Sequence, residues 1–115
     1  PLVTVSDFGN NAGLVRGAVL EGWQGLDLCA IRVRGEIDGV EVGAATAAAM
    51  LDGPYGAVRF LLGNLIERGF DVSGGLWVST GAITGVHEIA VGQSFRAVFE
   101  GCGEVRCSVV AASPR

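Results

Sequence analysis

The 115 residues carry 50% hydrophobic and only 17% charged side chains, which excludes a disordered chain and leaves more apolar material than a small monomer easily hides. A net charge of -4 and a pI near 4.8 exclude a nucleic-acid partner, because neutralising phosphates takes clustered Lys and Arg. There is no lysine, so this chain supplies neither a Schiff base nor the lysine of a P-loop.

Residues 2–5 are strand formers, residues 6–11 supply Ser, Asp, Gly and Asn for a turn, and residues 13–19 resume an apolar run: strand, loop, strand. Strands are predicted at about 27–36 and 40–45, because Asp38-Gly39 between β-rich arms signals a tight hairpin. Residues 44–50 are nearly all alanine and helical by propensity, though such small side chains equally suit a strand or loop under close packing. The best-defined element runs from Pro54 to Gly69. Ala57, Val58, Leu61, Leu62, Leu65 and Ile66 recur at helical spacing, with proline in the first turn and glycine at the C-cap. Residues 76–80 read as a strand, 81–85 as a loop, and another strand follows. Phe95, Ala97 and Phe99 alternate with Arg96 and Val98, and Val105, Cys107 and Val109 with Arg106 and Ser108, across a turn at 101–103, so the chain closes on a hairpin. One domain over residues 1–110 with a frayed tail at 111–115 accounts for the pattern.

Cys29, Cys102 and Cys107 are an odd set without a C-x-x-C pair, which points to buried small hydrophobes in a reducing compartment. No stretch reaches the roughly eighteen apolar residues of a membrane span, and Pro1 opens no signal-peptide pattern. A cytoplasmic protein, off the membrane and homo-oligomeric, is expected. Pro1 is read as a processed or truncated start, with residues 2–5 already in a strand, in preference to the catalytic amine of a small tautomerase.

The ordered string Leu51, Pro54, Phe60-Leu61, Leu65, Glu67-Arg68-Gly69, Gly75, Thr80-Gly81 and Gly92 resembles the 2-keto-4-pentenoate hydratase and 4-oxalocrotonate decarboxylase branch of the fumarylacetoacetate hydrolase superfamily. Asp7 and the run Ala12-Gly13-Leu14-Val15-Arg16-Gly17 look like that family's aspartate loop and glycine-rich strand. Gly25-Leu26-Asp27-Leu28, Asp38-Gly39, Phe95-Arg96-Ala97 and Gly101-Cys102-Gly103-Glu104-Val105 fit further landmarks in order. The resemblance covers essentially the whole chain and matches the C-terminal portion of the family. It implies an α+β, mainly β fold: a twisted mixed β-roll packed around one amphipathic helix. Phe8 stands where the family has asparagine, Ala45 and Ala47 where it has glycine-x-glycine, Asp52-Gly53 where it has glycine and a polar residue, and Gln93 where it has aspartate.

The resemblance further implies a lyase acting on a small α-keto acid with Mg²⁺ or Mn²⁺, hard ions that take oxygen ligands and stabilise a developing enolate. It places the metal-binding glutamates and a lysine in segments preceding the position of Pro1, so metal ligands are not identifiable in this chain, and a partner chain or missing N-terminal part is expected to supply them. Glu36 and Asp38 come nearest to a paired-carboxylate motif, but they flank the Asp-Gly hairpin and are read as solvated turn residues. Asp7 is the catalytic candidate, with Asn10 and Asn11 in the same loop as substrate-binding residues; a turn-capping role is the plain alternative. Thr80-Gly81 matches a pair whose hydroxyl and amide approach the keto-acid carboxylate, against a simple β-turn. His87 has no partner motif and reads as a surface or hydrogen-bonded histidine. Trp23 and Trp77 read as core or interface anchors. Two other functions stay open: a catalytically silent binding or oligomerisation module, and a metal-free isomerase or cyclase using the same pocket.

Overall fold

A computed structural model of the chain describes residues 13–50 and 52–113. The fold is α+β and mainly β. It has four strands, β1 (Arg32–Ile37), β2 (Val40–Thr46), β3 (Ser94–Phe99) and β4 (Gly103–Ser108), and one helix, α1 (Gly53–Glu67). Short 3-10 turns at Trp23–Gly25, Leu28–Ala30 and Ala47–Ala49 complete the regular structure among the described residues. The strands form an antiparallel sheet in the order β2-β1-β3-β4.

The first hairpin forms where the Asp-Gly dipeptide predicts it. Asp38 and Gly39 both take positive φ, 49° and 82°, the backbone that a two-residue turn between right-twisted strands requires. Asp38 then holds the neighbouring strand, accepting the backbone N–H of Ser94 at 2.9 Å on its carboxylate. The final hairpin turns at Gly101, with Cys102 N–H donating to the Phe99 carbonyl at 2.8 Å.

Strand alternation divides the sheet into two chemically distinct faces. Val33, Ile37, Phe95, Ala97, Phe99 and Val105 share one face through the pairs Val33 with Phe99, Ile37 with Phe95, and Ala97 with Val105. Arg34, Glu36, Arg96, Glu104 and Arg106 share the other. There Glu36 Oε2 accepts from Arg96 Nη2 at 2.7 Å and Arg34 Nη1 at 3.1 Å, and Glu104 accepts from Arg106 at 2.9 Å and pairs with Arg96 at 3.2 Å. Hydrogen bonding from Arg106, with the Arg96 charge behind it, holds the Glu104 carboxyl below the ordinary glutamate range, and the bond to Glu36 pushes the Arg96 guanidinium up. The reading of Glu36 as a solvated turn residue is corrected: it stands inside the ladder, paired with Arg96 on β3, and is 5% exposed between two arginines.

The helix matches its sequence signal closely. Pro54 sits in its first turn, and at its end Gly69 takes φ 82° while Phe70 N–H bonds back to the Leu65 carbonyl. It packs chiefly on the turns Leu28–Ala30 and Ala47–Ala49, beside the sheet's apolar face. The alanine run therefore resolves into the end of β2 and one 3-10 turn. Other expectations are corrected. Residues 13–19 and 76–80, and the stretch between 85 and 93, form no strand, and residues 28–30 make a 3-10 turn, capped by Asp27 accepting from Cys29 N–H at 3.1 Å. The cysteines are free and none is fully buried, with Cys107 exposed. Residues 2–5, like Asp7, Asn10 and Asn11, lie outside the described residues.

Candidate functional site

Over the apolar face of the sheet, residues 78–84 and the N-terminal end of α1 line a half-open cavity of about 460 Å³. Val33, Ala97 and Phe99 form its floor from β1 and β3, and Met50 and Pro54 close one side. Phe99 and Ile31 also border a neighbouring cavity of about 260 Å³ under residues 15–20. The larger cavity lies within the size range of small-molecule sites.

The rim segment rests on β2 because Gly43 has no side chain. A Cβ there would run into the carbonyl oxygen of Thr84 and lie 3.1 Å from the His87 ring. The same carbonyl lies 2.8 Å from His87 Nε2, and the His87 ring stacks on Phe95 with centroids 6.3 Å apart. His87 thus has the hydrogen-bonded structural role expected of it, as a strut beneath the loop. At the front of the segment Gly81 takes φ 116°, a conformation that strains other residues.

Thr80 and Gly81 both line this cavity, so the structure brings the predicted substrate-binding pair to a concave site. Whether Asp7, Asn10 and Asn11 join them falls outside the described residues. Ser79 and Thr84 also line the wall, and neither is singled out by the sequence reading. Their signal is the repeated hydroxyl pattern Ser79-Thr80 and Thr84 about a glycine, which marks a loop without saying which hydroxyls share a cavity. Among the described lining residues none is ionisable. Chemically, then, the wall offers three hydroxyl-bearing residues and the Gly81 backbone amide as hydrogen-bond groups, set in a surround of hydrocarbon.

No family model matches the chain. It is similar to a curated enzyme, 4-oxalocrotonate decarboxylase of Pseudomonas putida. The two are 28% identical over 106 residues, which is 92% of this chain and 40% of that enzyme. The chain therefore spans well under half the length of the relative it matches.

A divalent metal, implied by the resemblance, does not fit the described residues. No group of three or more His, Cys, Asp or Glu among them could hold a metal ion, and the wall around Thr80 carries no oxygen anion.

Proposed function

We propose that the chain forms the substrate-pocket portion of a lyase acting on a small α-keto acid, as a decarboxylase or hydratase of the 4-oxalocrotonate decarboxylase type. The observation that carries the proposal is the 106-residue similarity to that decarboxylase, coinciding with a cavity walled by Thr80 and Gly81. On this reading the Thr80 hydroxyl and Gly81 backbone N–H donate to the keto-acid carboxylate above the hydrocarbon floor at Val33 and Phe99. On the same reading Asp7 is the residue that moves the proton, and Asn10 and Asn11 are further substrate-binding candidates. Mg²⁺ or Mn²⁺, if it takes part, has its ligands outside the described residues, from a partner chain or an N-terminal part.

The test is calorimetric titration with oxalate and pyruvate, with and without Mg²⁺ or Mn²⁺, on the wild type and Thr80→Val. The proposal expects oxalate to bind and Thr80→Val to weaken it by about tenfold, the value of one hydrogen bond to a charged group. Oxalate binding that ignores Thr80→Val, or no binding of either anion, would overturn it. The second reading, a catalytically silent oligomerisation module, is favoured by the large apolar side chains left at the surface, Phe60, Trp77 and Val86 among them.

A further inference from the structure

Leu20, Ile31 and Phe99 line both the cavity of about 460 Å³ and its neighbour of about 260 Å³, so these three side chains form the wall between the two spaces. Thr80 and Gly81 border the larger space alone. Phe99 is the bulkiest part of the wall. It stands on β3, inside the sheet, with Val33 of β1 and Gly103 of β4 as its ladder partners, so no side chain opposes its ring on the β4 side. It remains 39% exposed where Val33 beside it is 6% exposed, which leaves ring surface for a ligand to touch.

Apart from its hydroxyls and the Gly81 backbone, the larger cavity is lined by hydrocarbon, from Val33 and Ala97 on the floor to Met50, Pro54 and Ile83 at the sides. Beyond Phe99 the smaller cavity continues the same chemistry with Val15, Ala18 and Val105. Its one charged lining residue, Glu104, has its carboxylate engaged by Arg96 and Arg106. No arginine among the described residues lines either cavity. A second carboxylate at the far end of a ligand would therefore lose water and meet no cation here, whereas each methylene set against the hydrocarbon is worth roughly threefold in affinity. At about 30 Å³ per water-sized group, a three-carbon keto acid fills well under half of the larger cavity. With its carboxylate at Thr80 and Gly81, the space left over is apolar and ends on the wall at Phe99.

Resting on the keto-acid reading of this site, we propose that the cavity holds the uncharged hydrocarbon tail of a 2-oxo monocarboxylic acid, and that Phe99 is the specificity-determining residue that limits the tail's length. The test is calorimetric titration of the full chain, under the conditions used for oxalate, with straight-chain 2-oxo acids from 2-oxobutanoate to 2-oxodecanoate and with the diacid 2-oxoadipate. The wild type should gain roughly threefold per methylene up to a limiting length, and should bind 2-oxoadipate at least about tenfold more weakly than 2-oxohexanoate. Phe99→Ala joins the two cavities and should move the limit at least about two carbons further. Phe99→Leu, which keeps more of the packing, should move it less in the same direction, and Ala97→Leu, which fills the floor, should move it to shorter acids. Each limit is read within one variant, long homologue against short, so a general loss of affinity or stability does not imitate it. Thr80-dependent oxalate binding with keto-acid affinity flat in chain length, or with 2-oxoadipate bound as tightly as 2-oxohexanoate, overturns the tail proposal and leaves the lyase reading standing. Failure of oxalate and of every keto acid to bind overturns both. A limit that neither Phe99 variant moves, or no limit in the wild type, overturns the role given to Phe99.

Discussion

Glu36 shows how a single residue's role turns on geometry that spacing does not carry. Two residues from an Asp-Gly turn, it has the sequence context of a solvated carboxylate, yet its pairing with β3 sets it in the ladder with Arg34 and Arg96 on one oxygen. Glu36→Gln keeps the shape, removes the charge, and leaves two guanidiniums facing a neutral amide. It is expected to lower stability by about 2 kcal/mol, measured as a shift in the urea midpoint without change in slope. Arg32→Ala, which removes a half-exposed 3.6 Å pair to Glu100, should cost no more than about 0.5 kcal/mol in the same assay. Equal losses would mean that burial at Glu36 contributes nothing. Thr80 and Gly81 are singled out in the sequence by a family pattern that marks them as a pair, and both line the cavity. The roles of Glu36, Ser79 and Thr84 were not legible there, because they depend on cross-strand and loop neighbours far away in the chain.

At the scale of elements, the sequence discloses those whose signal is local. Asp38-Gly39 sets one hairpin, the Phe95, Ala97, Phe99 alternation another strand pair, and Pro54 with Gly69 bounds the helix within two residues. Residues 13–19 and 76–80 carry equally strand-like composition but form none. Parts of both line the cavities over the sheet instead. Apolar composition reports that a segment is partly buried; whether its backbone finds a ladder depends on a free edge, which no local pattern records. The loop at 78–87 therefore depends on the sheet beneath it, above all on Gly43. Gly43→Ala places a methyl against the Thr84 carbonyl and must push the segment off β2. The expected result is a loss of about 1–3 kcal/mol with faster amide exchange confined to residues 78–87. Uniformly faster exchange, or none, would show that the glycine does not seat the loop.

For the whole molecule the governing quantity is uncovered surface. The chain exposes 8927 Å², where a compact monomer of its 11.8 kDa mass would expose roughly 5900 Å². Its radius of gyration is 16.1 Å, against about 13 Å for a compact 100-residue domain. Among the described apolar residues only Val33 and Ala47 are buried, while Trp77 stands 77% exposed with Arg16 stacked on its ring at 4.4 Å. Trp23, 45% exposed, and Trp77 are therefore not core residues, which corrects that part of their reading. Large apolar side chains left open on this scale predict that folding and association are linked. Raising the concentration from about 2 to 200 μM then adds about 2.7 kcal/mol per dimer to the folded side, several degrees in Tm. Thermal unfolding followed by circular dichroism at both concentrations measures this directly. A Tm that rises with concentration identifies association as a source of stability. A Tm independent of concentration means that the exposed apolar surface is tolerated by a monomer, and that the sheet, its two hairpins and the Glu36 ion pairs suffice to hold the fold.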